Sequence, residues 1–315
     1  MITYFSQDFL KISSNDISKQ ISENSFFSEK SAIDPEIVNK IFLESDLFNI
    51  KLNSLEISSV HDQDGYYMSN GLAKSRTLYN FLTSNKIIEI SKAYLGDKFR
   101  LKCHRVYSVG SGAKNPWHTD DKKYGKKNEY IKGIVFIVYL NDVFDGEFQL
   151  IKGSHLFSSS FKYPNFDEHI IDEKYKKEIE SFKMPSGSII IFDNKTIHRA
   201  KPYLDFFWRR KSLFFQIDND VNDGEKILIN SEFIEDLNAD KIMLLGMGKP
   251  AKMPHEPSHT GIDSINFRLI FIIQLNLFKA IYKRVYYNLK FFLSDKIKRN
   301  LQNIFGKKIN VNTKK

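Results

Sequence analysis

The chain has 315 residues, of which 42% are hydrophobic, enough for one large domain with extensions or for two small domains. Its single cysteine, Cys103, excludes an internal disulfide, and we expect a reducing cytoplasmic location. The net charge of +9 is concentrated in residues 266–315, with twelve basic residues and one acidic residue; the preceding residues carry a net charge of −2. This distribution argues against a nucleic-acid enzyme, and we expect no nucleic-acid partner.

The beginning of the chain, residues 1–97, has a mixed pattern that predicts a mainly helical support region. Asp34 and Pro35 are typical of a helix start, with Asp34 as the N-cap and Pro35 in the first turn. A second helix is predicted from about Arg76 to Leu95, with Gly96 ending it. We see no secretory signal in the first residues and no apolar run that reaches the ~18 residues of a membrane span.

Residues 98–218 form a β-rich segment that contains a candidate metal site. His118 and Asp120 stand two positions apart, and side chains with that spacing point to the same face of a strand. Eighty positions after His118, an apolar strand leads to His198, which can supply a third ligand. Two imidazoles and one carboxylate can cover one face of an octahedral Fe(II) and leave three positions open. The spacing therefore predicts a non-haem iron site.

Several further motifs surround these ligands in a fixed order. They are Arg105-Val106-Tyr107, the apolar run from Ile134 to Leu140 with Asn141-Asp142-Val143 after it, Gly146 to His155, Met184 to Asp193, and Arg210-Lys211-Ser212-Leu213. Trp117 immediately precedes His118, and Arg209 immediately precedes Arg210. Because adjacent residues on a strand face opposite ways, only one of these two arginines can point into a barrel.

This ordered set resembles the phytanoyl-CoA dioxygenase family of Fe(II)- and 2-oxoglutarate-dependent oxygenases, over roughly residues 98–218. The chain departs from the family pattern at Lys152 and Ser188, two turn positions outside the ligand set. The resemblance implies an α+β fold, in which a double-stranded β-helix, a cupin-like jelly roll, forms the core with flanking helices. It also implies His118, Asp120 and His198 as Fe(II) ligands and 2-oxoglutarate as cosubstrate.

Further roles follow from the resemblance. Arg210 is the favoured partner of the distal carboxylate of 2-oxoglutarate, which suits a planar guanidinium, with Arg209 as the alternative. Tyr107 is a candidate hydrogen-bond donor to the same cosubstrate or a packed aromatic residue. Arg105 shares the inward face with Tyr107, and it is expected either to meet an anionic substrate or to pair with a core carboxylate. Trp117 is a candidate substrate contact.

Two segments follow the core. Residues 219–264 are loop-rich, and residues 265–315 form a basic tail. Apolar positions at three- and four-residue steps predict an amphipathic C-terminal helix from about Leu277 to Phe305. Such a helix suits the inner surface of a membrane, docking on its own domain, or a second subunit in a homo-oligomer.

Two functions from different classes fit the sequence. The first is a dioxygenase that uses O₂ to hydroxylate a small or lipid- or sugar-linked metabolite, because the retained Asp120 differs from the small residue of halogenating family members. The second is a non-catalytic jelly-roll module that binds a sugar or a lipid headgroup. The sequence contains no signature for the substrate, since variable loops form the pocket walls of such folds.

Overall fold

The structure is a computed structural model that describes residues 3–45, 59–62, 65–68, 70–110, 115–121, 131–157, 168–202, 209–251, 253 and 267–292. The chain divides into two compact units, residues 1–264 and residues 265–315. The described helices of the first unit are α1 (Gln7–Lys11), α2 (Ser14–Asn24), α3 (Pro35–Glu44), α4 (Gly71–Lys74), α5 (Arg76–Leu82), α6 (Asn85–Leu95), α7 (Glu168–Lys174) and α8 (Ala239–Leu244). Its described strands are β1 (Phe26–Glu29), β2 (Ser59–Asp62), β3 (Gly65–Met68), β4 (Arg100–Val109), β5 (Asn115–His118), β6 (Gly133–Tyr139), β7 (Phe148–Ile151), β8 (Ile179–Phe182), β9 (Ile189–Asp193), β10 (His198–Ala200) and β11 (Arg210–Asp218).

The described strands form two antiparallel sheets. The large sheet has the order β1-β9-β6-β11-β4-β3-β2, and the small sheet has the order β5-β10-β7-β8. Strands that are distant in the chain are neighbours in both sheets, as in a jelly roll. The predicted jelly-roll core is consistent with this arrangement.

The large sheet has apolar residues on both faces because it separates two cores. On β6, Val135, Ile137 and Tyr139 pack with residues of the small sheet. The alternate residues Ile134 and Phe136 pack on the other face with the helices. A strand that is buried on both faces reads as a continuous apolar run, which is the pattern of β6 in the sequence.

Of the two helices predicted for the N-terminal segment, one begins where the sequence predicts and the other is divided. The Asp34 carboxylate accepts a hydrogen bond from the Glu36 amide at the start of α3, and Pro35 occupies the first turn. The predicted helix from Arg76 to Leu95 is instead two helices, α5 and α6. The chain turns between them at Thr83, whose hydroxyl donates to the Tyr79 carbonyl.

The N-terminal segment also contributes strands, which the prediction of a mainly helical region for residues 1–97 did not include. β1 pairs with the edge of β9, and β3 joins β2 to β4. Each of these three strands has only four residues, so their sequences show little alternation. The large sheet therefore extends across the predicted boundary at residues 97 and 98.

A buried tyrosine joins the two sheets. Tyr139, at the end of β6, is fully buried. Its hydroxyl accepts a hydrogen bond from the Phe148 amide at 3.1 Å and donates one to the Phe182 carbonyl at 3.0 Å. Phe148 and Phe182 begin and end paired strands of the small sheet, so one side chain fixes the separation of the sheets at this end.

The second unit contains α9 (Phe267–Phe292) among its described residues. This helix begins ten residues before the predicted start at Leu277, and the predicted end at Phe305 lies outside the described residues. None of the described helices is both long enough and apolar enough to cross a membrane.

Candidate metal and cosubstrate site

Two neighbouring strands of the small sheet bring the predicted metal ligands together. β5 and β10 are antiparallel, and His118 stands directly opposite His198 in their register. The two imidazole centroids are 4.2 Å apart. Asp120 lies two residues beyond the end of β5, and its carboxylate approaches His118 Nε2 at 3.8 Å and His198 Nε2 at 3.3 Å. One ligand atom from each residue lies within 4.8 Å of the others, a spacing that one ion can bridge.

Backbone carbonyls orient both imidazoles in the same way. His118 Nδ1 lies 2.7 Å from the Pro116 carbonyl, and His198 Nδ1 lies 2.9 Å from the Thr196 carbonyl. A carbonyl oxygen can only accept, so each Nδ1 carries the proton in these contacts and each Nε2 presents a lone pair. Metal-binding histidines are commonly held by such a hydrogen bond on the ring nitrogen that does not bind the metal.

The Asp120 carboxylate has the chemistry of a metal ligand. Burial opposes its ionisation, but positive charge on the imidazole of His198, and next on that of His118, holds the pKa of Asp120 well below its usual range when those rings are protonated. A cation bound by unprotonated Nε2 atoms would stabilise the carboxylate in the same way. Its Oδ2 is buried and, among the described residues, makes no well-aligned hydrogen bond, despite the close approach of His198 Nε2. A buried anionic oxygen without such a bond fits a bound cation, so the three residues suit a divalent iron.

The backbone of Asp120 is held by residues that the sequence did not single out. Its amide donates to the Asn194 carbonyl at 2.8 Å. Its carbonyl accepts from Gln216 Nε2 at 3.2 Å and from Lys102 Nζ at 3.3 Å. Lys102 Nζ also lies 3.5 Å from the Asp218 carboxylate. Burial raises the pKa of Asp218 to about 6, although the positive charge of Lys102 opposes this rise. These contacts fix the loop that carries the carboxylate ligand.

Arg210 is the first residue of β11, and Arg209 directly precedes the strand. Leu213 and Phe215 of β11 pack in the helix-side core, so the alternate positions of Arg210 and Gln216 face the interior between the sheets. Arg210 is buried; its Nη1 donates to the Gly146 carbonyl at 2.5 Å, while its Nε has no hydrogen-bond partner among the described residues. Arg209 is expected to share the helix-covered side with Lys211 by the same alternation; burial and the nearby charge of Arg209 lower the pKa of Lys211.

The remaining predicted residues, Tyr107 and Arg105, lie on the interior face of β4, beside its paired neighbour β11. Tyr107 pairs in register with Ser212, and its ring lies 6.0 Å from the ring of Phe214. Arg105 pairs in register with Phe214, and its guanidinium forms a buried ion pair with Glu225. Of the two roles predicted for Arg105, the structure therefore shows the ion pair with a core carboxylate.

The placement of Trp117 does not support a substrate contact. Its side chain is buried in a small cluster with Ile151, Ile171 and Ile197, on the opposite face of β5 from His118. The indole Nε1 donates to Asp172 Oδ1 at 3.2 Å. Arg199 stacks on the ring at 4.3 Å from the centroid. The indole thus anchors α7 to the outside of the small sheet.

Comparisons with known proteins agree with this site. Residues 59–210 match the family model of phytanoyl-CoA dioxygenase (PhyH). The non-haem α-ketoglutarate-dependent carbocyclase SnoK from nogalamycin biosynthesis superposes with a TM-score of 0.53 and 13% sequence identity, covering 69% of this chain and 87% of SnoK. The corresponding epimerase SnoN has a TM-score of 0.51 and 15% identity, covering 65% of this chain and 80% of SnoN.

A third similar structure holds ligands. HygX from Streptomyces hygroscopicus, with nickel, 2-oxoglutarate and hygromycin B bound, has a TM-score of 0.52 and 12% identity, covering 70% of this chain and 94% of HygX. At such identities the likeness shows the fold. Among curated proteins, none has a sequence that matches this chain.

The fold, the family match and the cluster of His118, Asp120 and His198 together define a non-haem iron, 2-oxoglutarate-dependent oxygenase. Within that class, residues 59–210, a little under half of the chain, are similar to phytanoyl-CoA dioxygenase. Fe(II) and 2-oxoglutarate are the cofactors that the family match and the three candidate ligands support.

Proposed function

We propose that the chain is a hydroxylase that acts on a small or lipid- or sugar-linked metabolite. His118, Asp120 and His198 would hold the iron, and Arg210 would bind the distal carboxylate of 2-oxoglutarate. The observation that carries the proposal is the convergence of two Nε2 atoms and one carboxylate within 4.8 Å, with both Nδ1 atoms bound to carbonyls. When bound, Fe(II) and 2-oxoglutarate supply O₂ activation coupled to decarboxylation of 2-oxoglutarate to succinate.

The chain's own residues orient and enclose this chemistry. The carbonyl partners of both imidazoles preset the tautomer, and Gln216 and Lys102 hold the loop of Asp120. The rings of Phe148 and Phe192 lie 5.3 Å and 4.8 Å from the His198 ring and exclude water from its inner side. The retained Asp120 carboxylate supports hydroxylation. The same fold also hosts a carbocyclase and an epimerase, so fold alone does not select the outcome.

The interior surface favours a substrate with an uncharged or apolar part near the iron. Cys103, Tyr107 and Phe214 share the inward face of β4 and β11 and are only partly buried. Phe214 lies two positions from Gln216, whose amide contacts Asp120, so this surface adjoins the metal site. The ion pair between Arg105 and Glu225 neutralises the cation that could have bound an anionic substrate here.

Anaerobic titration of the purified protein with Fe(II) and 2-oxoglutarate tests the proposal. The visible charge-transfer absorbance of the chelate reports cofactor binding, and succinate release with O₂ consumption reports turnover. His118→Ala and Asp120→Ala should each abolish the absorbance, because each removes a ligand. His169→Ala provides a matched control, since His169 lies exposed on α7.

The possible results separate the two functions. Stoichiometric iron binding and succinate formation, lost in the two ligand variants, would support the enzyme. Full iron binding by His118→Ala would contradict the proposed ligand set. A protein that folds but releases no succinate across candidate metabolites, while it binds a sugar or a lipid headgroup, would favour the non-catalytic binding module. Mass spectrometry of the product, with one added oxygen atom, would distinguish hydroxylation from cyclisation or epimerisation.

A further inference from the structure

The helix α9 (Phe267–Phe292) has a broad apolar surface that is exposed. The exposed fractions of Phe271, Phe278, Ile281 and Val285 are 59%, 75%, 52% and 49%. At 100° per residue these positions fall within one stripe along the helix. Contiguous apolar surface of this kind on a chain marks a site of contact with another phase or molecule.

The same helix has a basic strip and no acidic residue. Basic residues stand at positions 268, 279, 283, 284 and 290. Four of them, separated by 11, 4 and 7 residues, return to one side of the helix and form the strip, whereas Arg284 lies on the opposite flank of the apolar stripe. Lys279 and Lys283 are exposed. The strip lies roughly 120° around the helix from the middle of the apolar stripe. Long lysine stems at this angle can lie along an apolar phase while their ammonium groups reach water or phosphate.

The charge of residues 266–315 indicates which kind of partner covers the apolar stripe. Residues 266–315 carry twelve basic residues and one acidic residue, whereas the preceding residues carry a net charge of −2. A second copy of the helix would cover the apolar stripe, but it has no acidic residue that could pair with the basic residues of the first. A nucleic acid would satisfy the charge but would leave the aliphatic stripe in water. An anionic lipid surface satisfies both features.

We propose that α9 binds in the plane of a membrane surface rich in anionic phospholipid. The apolar stripe enters the boundary between head groups and acyl chains, and Lys279 and Lys283 lie among the head groups. The helix then holds the chain at that surface without crossing the bilayer. This inference does not depend on the proposed function, because it concerns only α9 and its charge.

Vesicle flotation of the full-length protein tests the inference. Binding is expected to vesicles of phosphatidylcholine mixed with phosphatidylserine, to weaken at high salt, and to be slight with phosphatidylcholine alone. Lys279→Glu with Lys283→Glu should weaken the partition about thirtyfold or more, because each basic residue contributes about fivefold near an anionic surface. Lys226→Glu with Lys249→Glu is the charge-matched control, since both residues are exposed in the first unit.

The apolar stripe is tested separately. Phe278→Ser with Ile281→Ser should abolish binding even at low salt, and equal binding by this variant would overturn the insertion of the stripe. Phe278→Trp gives a second measurement that leaves the stripe apolar. Its fluorescence should shift to shorter wavelength with phosphatidylserine vesicles only. No shift, or concentration-dependent dimerisation by ultracentrifugation without vesicle binding, would overturn the lipid assignment. Iron and 2-oxoglutarate binding, measured on the same samples, reports independently on the catalytic proposal.

Discussion

Two adjacent arginines, Arg209 and Arg210, provide an internal comparison at the residue scale. Arg210→Ala is expected to weaken 2-oxoglutarate binding tens-fold or more, because truncation of one partner in a buried charge pair costs ~2–5 kcal/mol. Arg209→Ala should change this affinity little, since alternation predicts its side chain on the helix-covered side of the sheet. Titration of 2-oxoglutarate into the anaerobic Fe(II) protein measures both. A larger loss for Arg209→Ala would show that the inward assignment of Arg210 is wrong.

Gln216 provides a second comparison, because it contacts the backbone of Asp120 and is not itself one of the three candidate ligands. Gln216→Leu should lower the affinity for Fe(II) about 10- to 100-fold, since residues that orient a ligand commonly have effects of this size. Gln149→Leu is the control: Gln149 is also buried, but it bonds Ser181 and Arg199. Competition with a chelator measures the affinity. Equal Fe(II) affinities of the two variants would contradict the proposal that Gln216 positions Asp120.

Most predictions about individual site residues came from the alternation of side chains along β-strands. It predicted that His118 and Asp120 share one face of a strand and that Arg209 and Arg210 face opposite ways. His118 and Asp120 do come together, but β5 ends at His118 and the Asp120 amide is held by the Asn194 carbonyl instead. It could also have identified Gln216, six positions after Arg210 on the same face. It could not identify Lys102, because the pairing of β4 with β11 shifts register next to Gln216 and alternation is lost there. The partner of Arg105, Glu225, lies outside the strands and had no signal in the sequence.

At the element scale, the hydroxyl of Tyr139 links the two sheets and has a measurable contribution to stability. Tyr139→Phe should lower the free energy of unfolding by ~1–3 kcal/mol, because it leaves the Phe148 amide and the Phe182 carbonyl without this buried partner. Urea denaturation followed by circular dichroism measures the difference.

Tyr79→Phe is the matched control for that variant. Tyr79 is also almost fully buried, but its hydroxyl has no hydrogen-bond partner among the described residues. Removal of this hydroxyl should leave stability unchanged or increase it, because an unpaired buried polar group is itself unfavourable. If the two variants lost equal stability, the hydrogen bonds of Tyr139 would not be the cause of its effect.

Long, buried elements were predictable from the sequence, and short edge elements were not. The apolar run of β6 and the start of α3 at Asp34 followed from local pattern and capping chemistry. The four-residue strands β1, β2 and β3 have little pattern of their own and exist because they pair with β9 and β4. The division between α5 and α6 falls at Ser84, the N-cap of α6, whose extended backbone (φ −66°, ψ 152°) interrupts the helix, and the predicted continuous helix did not include this break.

At the scale of the whole molecule, the basic tail and the metal site belong to different compact units. Deletion of residues 265–315 should leave Fe(II) binding and succinate formation within about twofold of the full chain, because all three candidate ligands and Arg210 lie in the first unit. The measurement compares iron content and turnover of both proteins at equal concentration. Loss of iron binding in a truncated protein that retains its circular dichroism would show that the tail contributes to the site.

The pairing of β4 with β11 has a consequence for the order in which the chain can fold. Arg210 pairs with Val109 and Asp218 pairs with Arg100, so the partners are separated by 101 to 118 positions. At the usual ~5–20 residues per second of synthesis, β4 waits ~5–25 s for its central neighbour. Such non-local pairing also predicts slow refolding after dilution from denaturant, in milliseconds to seconds. His118 and Asp120 emerge before His198, so the growing chain passes through a stage with an open sheet edge and an incomplete ligand set, when it is most exposed to aggregation.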